Sequence, residues 1–165
     1  MQAINILDIK PFMQLLFQTT ILDNYQFVSA SILTDMSYNL DGHINHAFFN
    51  EDDFVTSDIN TQTYLPWSIA KEKVFLLIKG KKTPSQLKIV LKVNEENTLQ
   101  LLNTTKSALN PNDIDGMFLN IIFQEKDLNV ICGISYQIFT MEKALESEFT
   151  DQIIQLFKAN NITCE

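Results

Sequence analysis

The sequence predicts an α+β domain built from antiparallel strands and about four helices. Three observations predict it. Leu87, Ile89, Leu91 and Val93 alternate with Lys88, Val90 and Lys92, the pattern of a strand with one buried and one lysine-bearing face. Residues 117–124 and 128–139 are two apolar-rich runs joined by Glu125-Lys126-Asp127, the arrangement of an antiparallel hairpin. Met141, Leu145, Phe149, Ile153, Leu156 and Phe157 recur at helical spacing, so one stripe of a final helix faces a core.

In chain order, residues 3–7 alternate weakly and predict a short strand. Asp8 is placed to cap a helix that tolerates Pro11 in its first turn, with Phe12, Leu15 and Leu16 inward. Asp23-Asn24 breaks this helix. Residues 25–34 and 36–40 predict two strands, and Asp41-Gly42 is the strongest hairpin turn in the chain, with 43–45 as the returning strand. Phe48-Phe49 and the acids after it predict a short helical turn, and 56–63 a polar loop. Pro66 opens a helix with Trp67, Ala70, Val74 and Ile78 on one face. A strand at 74–78 is the alternative, and periodicity alone leaves both open. Gly80 stops the element, and Pro84 bars continuation through the 81–85 loop. Asn94 caps a helix from Glu95 to about Lys106, with Leu99 and Leu102 packing. Asn110-Pro111-Asn112 is a turn, Gly116 precedes the hairpin strands, and Thr140 caps the last helix, which Asn160-Asn161 ends.

At 165 residues the chain suits a single domain. Each half runs strand, helix, hairpin, helix, which predicts βαββα half-repeats at 1–80 and 86–160. Their caps, Asp8 and Asn94, precede Gln14-Leu15-Leu16 and Gln100-Leu101-Leu102 at equal spacing. No apolar run approaches a membrane span, and the first residues lack a basic, then apolar, leader. These features point to the cytoplasm and to no membrane partner. Cys132 and Cys164 are expected as a buried thiol and a loose tail thiol.

The charge distribution is uneven. The net charge is −8, yet residues 71–92 hold seven of the twelve lysines and one acid, Glu72, for a local +6. The flanks, 1–70 and 93–165, are −7 each. The chain contains no arginine, which removes the bidentate fork used for phosphate and guanine edges. Lys79, Lys81, Lys82, Lys88 and Lys92 are the candidate binding residues, for an anionic protein or nucleic-acid partner. The bland reading of the same lysines is a solvated sheet edge kept from pairing.

No catalytic motif survives inspection. Lys79-Gly80-Lys81-Lys82-Thr83 lacks the spacing of a phosphate loop, with Phe75 where the first glycine belongs, and it precedes a strand rather than a helix. The Asp-Gly segments at Gly42 and Gly116 lack the closing glutamate of a calcium loop. His43 and His46, near Asp41 and Glu51-Asp52-Asp53, are the residues on which a metal-dependent enzyme would rest. Neither a catalytic set, a metal site nor a cofactor is expected. Trp67, Phe48, Phe49, Phe118 and Phe139 are expected in the core.

The chain resembles a family of small, uncharacterised proteins of low-GC Gram-positive bacteria, a domain of unknown function. The resemblance rests on Asp8-Ile9-Lys10 with Phe12-Met13, on Asp41-Gly42, on Trp67, on residues 78–84 with Lys88, on 116–121, and on Phe139-Thr140. It implies a bacterial single-domain protein and supplies no site. The functional expectation is therefore a non-catalytic binding or adaptor protein that docks an anionic partner through 79–92. The alternatives are the metal enzyme above and an oligomeric, clamp-like protein associated with nucleic acid.

Overall fold

The computed structural model describes residues 2–52 and 59–165. The strands are β1 (Gln2–Ile6), β2 (Gln26–Leu33), β3 (Ser37–Asp41), β4 (Leu65–Pro66), β5 (Gln86–Lys92), β6 (Ile114–Gln124) and β7 (Asp127–Tyr136). Four α-helices stand among the described residues: α1 (Ile9–Gln18), α2 (Trp67–Ile78), α3 (Glu95–Thr104) and α4 (Ala144–Ala159). The strands form one antiparallel sheet in the order β1-β7-β6-β5-β2-β3, with β4 pairing the start of β2. The fold is α+β, and residues 74–78 are helical. The order of elements is β-α-β-β-α twice, apart from β4. The opening strands of the two halves hold different places: β5 lies between β6 and β2, and β1 lies outside β7.

Alternation decides the layering. Ile4, Ile6, Ala30, Ile32, Leu87, Ile89, Leu91, Leu119, Ile121, Val130 and Cys132 are buried in one cluster with residues from all four helices. The helices therefore cover one face of the sheet. The cross-strand register puts Ser31, Lys88, Ile122, Asn129 and Asn5 in one row of the other face, and Ser29, Val90, Asn120, Ile131 and Ala3 in the next. All ten are exposed or half-exposed, so this face is left open.

Several local expectations need correction. The β2–β3 hairpin turns at 34–36, where Thr34 N donates to Met36 O at 3.0 Å. Asp41-Gly42 instead ends β3. Gly42 N donates to Val28 O at 2.8 Å, and Leu65 N donates to Gly42 O at 2.9 Å. Residues 43–45 do not return along β3; His43 bridges Tyr64. Asp8 does not bond to its own helix. Its carboxylate accepts from Thr163 N at 2.8 Å, and hydrogen bonding from the Thr163 side chain first, then from this backbone N–H, lowers its pKa. Leu99 is exposed, and Leu101 and Leu102 pack. α4 begins at Ala144, so Met141 lies before it and is exposed with Phe48 and Phe139. The tail is held by the sheet: Asn5 and Glu165 exchange two backbone bonds at 2.7 and 2.9 Å, and Leu7 N donates to Thr163 O. Of the polar loop expected at 56–63, residues 56–58 lie outside the described residues, and Ile59–Thr61 form a 3-10 turn.

Other expectations stand as geometry. Asn94 caps α3, its side chain accepting from Asn97 N at 2.8 Å, and Glu95 and Glu96 follow in the turn where acids favour the dipole. The β6–β7 turn places Glu125 and Lys126 at φ 54° and 74°, the positive-φ pair that a two-residue turn requires. Both cysteines are free. Burial pushes the Cys132 thiol up to about 12, so its nucleophilic thiolate is scarce at neutral pH. A maleimide at pH 7 is expected to label the partly exposed Cys164 and to reach Cys132 only in denaturant. Mass mapping of native and unfolded samples checks this, and equal labelling of both in the native state would contradict it.

Candidate ligand-binding surface

Strand alternation sends Lys88 and Lys92 to the same, open face of β5. Lys88 is exposed between Ser31 of β2 and Ile122 of β6. Lys92 lies four residues further, roughly 13 Å away along the strand. Lys79, Lys81 and Lys82 are exposed in the loop between α2 and β5, at the end of the sheet where β5 starts. Ser85 N anchors that loop to Leu33 O at 2.8 Å. Among the described residues, none of these five lysines has a carboxylate within 4 Å; the ion pairs lie elsewhere, at Lys71–Asp23, Lys143–Glu146 and His43–Asp41. Lys71 is structural, bonded to Asp23 at 2.7 Å and to Thr19 O at 3.0 Å.

Lys92 occupies a different setting from the other four. It is half-buried, with its ammonium 5.9 Å from the centroid of the Tyr64 ring and 6.0 Å from that of Phe118, a range in which ring quadrupoles attract a cation. Gly116 makes room for its stem: a Cβ there would stand 2.7 Å from Lys92 Cε. Lys92 forms one wall of a polar cleft of about 630 Å³ that also holds Glu95, Asp115, Gln62, Asn112 and Thr98. The side-chain oxygen of Gln62 is buried there and has no hydrogen-bond partner among the described residues. Two carboxylates beside one lysine make this cleft less attractive to a polyanion than the Lys88 end of the strand.

The histidines are engaged separately. His43 Nδ1 is 2.6 Å from Asp41 Oδ1, and His43 N donates to the same oxygen at 2.9 Å. These bonds, the backbone one first, hold the Asp41 carboxyl below its usual range. His46 Nε2 is 3.1 Å from Ile59 O. Among the described residues, no three His, Cys, Asp or Glu side chains gather to hold a metal ion; Asp53 lies outside them. Next to His43 runs an apolar groove of about 670 Å³ between α2 and the end of β3, lined by Ile44, Phe48, Leu65, Ile69, Leu76 and Leu77, with Lys73 in its wall.

A family model matches residues 14–165. The chain belongs to DUF5721, a family of unknown function. No curated protein and no solved structure matches it. β1 and the first half of α1 precede the matched residues of this DUF5721 chain. Sequence reasoning found the lysines and missed what seats Lys92, because Tyr64 and Phe118 are remote from it in sequence. Gly116 was the available signal, a glycine at the mouth of a strand where a neighbour approaches closely.

Proposed function

We propose that this DUF5721 protein is a non-catalytic binding protein of the bacterial cytoplasm that docks an acidic protein partner on the open face of its sheet. Lys88 and the loop lysines Lys79, Lys81 and Lys82 make the contact, and Lys92 extends it at the far end of β5. One observation carries the reading. The lysine-bearing strand is central, between β6 and β2, so its lysines are not guarding a free edge, the ordinary reason for lysine on a strand. Among the described residues they stand on a face that no helix covers, and Lys88 has no carboxylate within 4 Å. The absence of arginine leaves point-charge docking and removes bidentate reading of guanine edges, which disfavours sequence-specific nucleic-acid recognition.

Fluorescence anisotropy with a labelled poly-glutamate peptide tests this at ~50 mM salt, where Debye screening is weak. Wild type is expected to bind, and the quadruple variant Lys79→Glu, Lys81→Glu, Lys82→Glu, Lys88→Glu to bind about tenfold or more weakly with a shallower salt dependence. Equal affinity of wild type and variant would remove the lysines from the interface. Binding of a labelled single-stranded oligonucleotide in preference to the peptide would overturn the choice of partner.

A further inference from the structure

The polar cleft beside Lys92 lies where β5 ends, walled by the first turn of α3, residues 61–63 and the start of β6. Its volume of about 630 Å³ falls within the roughly 300–1,000 Å³ of small-molecule sites. β6 is deformed here. Ile114 pairs Tyr136 and Gly116 pairs Ser135, so Asp115 is the extra residue of a bulge. A bulge re-aims a side chain, and Ile114, Asp115 and Gly116 all line the cleft, which strict alternation along a strand would not allow. Asp115 is held in this place. Ser135 Oγ donates to its Oδ2 at 3.2 Å, and the Gln137 side chain donates to its Oδ1.

The cleft holds charges of both signs and does not pair them with each other. Lys92 keeps its ammonium near the Tyr64 and Phe118 rings, and among the described residues no carboxylate comes within 4 Å of it. Glu95 and Asp115 nevertheless line the same cleft. Gln62 adds an acceptor, its buried side-chain oxygen, that has no partner among the described residues; a buried acceptor gains most from a donor brought in by a ligand. A simple anion entering here meets two carboxylates, and a simple cation meets Lys92. A ligand that carries one charge of each sign avoids both repulsions and finds a partner for each end. A carboxylate has about four lone-pair sites, so Asp115 can accept from a ligand beyond the bonds it receives from Ser135 and Gln137.

We propose that this cleft binds a small zwitterion of the amino-acid class, with its carboxylate at Lys92 and its ammonium at Gln62 Oε1 and Asp115. Gln26, Thr98 and Asn112 in the wall favour a polar, uncharged side chain. The volume admits a free amino acid or a dipeptide, which share this chemistry. The site is separate from docking at Lys88 and the loop lysines, none of which lines the cleft.

Amide chemical-shift mapping on the full chain tests it, with L-glutamine and glycyl-L-glutamine as probes. At least one is expected to shift Gly116, Asn94 and the Gln62 side-chain amide, with a Kd at or below ~1 mM, the weak end of specific binding; the tighter of the two identifies the source. Two analogues of glutamine carry one charge each, glutaramate without the ammonium and 4-aminobutanamide without the carboxylate. Each is expected to bind about tenfold or more weakly. Lys92→Met, which keeps the stem against the rings, and Asp115→Asn are each expected to weaken binding by a similar factor, with circular dichroism confirming that both fold. The quadruple variant at Lys79, Lys81, Lys82 and Lys88 is expected to bind the zwitterion as wild type does, which separates this site from the docking surface. No shift from either probe at ~10 mM overturns the proposal, as does equal binding of a singly charged analogue or affinity unchanged in both Lys92→Met and Asp115→Asn. Maltotriose that shifts the same amides where the two probes do not would also overturn it, by assigning the cleft to a neutral polyol.

Discussion

Gly42→Ala is expected to destabilise the protein by more than ~3 kcal/mol, beyond the ordinary cost of overpacking. A Cβ at this position would stand 1.8 Å from Phe27 O, 2.7 Å from Phe27 C and 2.8 Å from Val28 O. All three atoms are backbone, so no rotamer change relieves the overlap. The chain could relieve it only by moving β3 away from β2. That movement would break the bond from Gly42 N to Val28 O and disturb the bond from Leu65 N to Gly42 O, which brings β4 to the sheet. β2 already carries a bulge here, between Phe27 and Ser29, and a bulged strand has little freedom left to yield. Urea denaturation measures the effect. A midpoint within error of wild type would show that the junction is looser than its contacts imply.

The second large effect is at Trp67. Its side chain is fully buried, packs against Phe17 and Phe27 at centroid distances of 5.6 and 5.9 Å, and donates from Nε1 to Leu16 O at 3.0 Å. Its own backbone N–H reaches Tyr25 O at 2.8 Å. One residue thus joins α1, the start of β2 and α2. Trp67→Ala is expected to cost about 3–5 kcal/mol through the lost burial and the cavity left behind. Trp67→Phe keeps most of the ring and removes only the donor, leaving Leu16 O short of a partner at about 1–3 kcal/mol. Thermal unfolding of both variants separates packing from hydrogen bonding. Equal losses would place the whole effect in the hydrogen bond.

Gly42 also shows where sequence reasoning stopped. An Asp-Gly pair signals a turn because glycine tolerates positive φ. Here glycine is required because another backbone passes too close, and Phe27 is fifteen positions away in the sequence. That cause is tertiary and leaves no local mark. The same holds for β5. Alternation revealed its buried face and its lysine face, and both are found. Whether β5 sits at an edge or in the middle of the sheet is decided by its pairing with β2 and β6, which alternation does not encode. The start of α4 was misplaced because Met141 continues the apolar spacing of the helix. Residues 137–142 are held by Ser107, Asp113 and Asp115 instead, contacts contributed by a different part of the chain. Asn94 was legible because its capping bond spans only three residues. The tail was not, because 163–165 is too short to show a period. Of the candidate site, the lysines were legible by charge alone, and the aromatic seat of Lys92 and the apolar groove were not.

The position of β1 bears on how the chain comes off the ribosome. Its ladder partners are β7, where Ile6 faces Leu128, and the tail, where Ile6 bridges Cys164. Both lie more than 120 residues further along the chain. At synthesis rates of ~5–20 residues per second, β1 waits on the order of ten seconds for its neighbours. During that wait Ile4 and Ile6, both buried in the finished sheet, have no ladder to join, and the closure they await spans nearly the whole chain, the slowest kind of contact to form. Until β7 and residues 163–165 have been made, β1 therefore presents two apolar side chains with no strand to pair with.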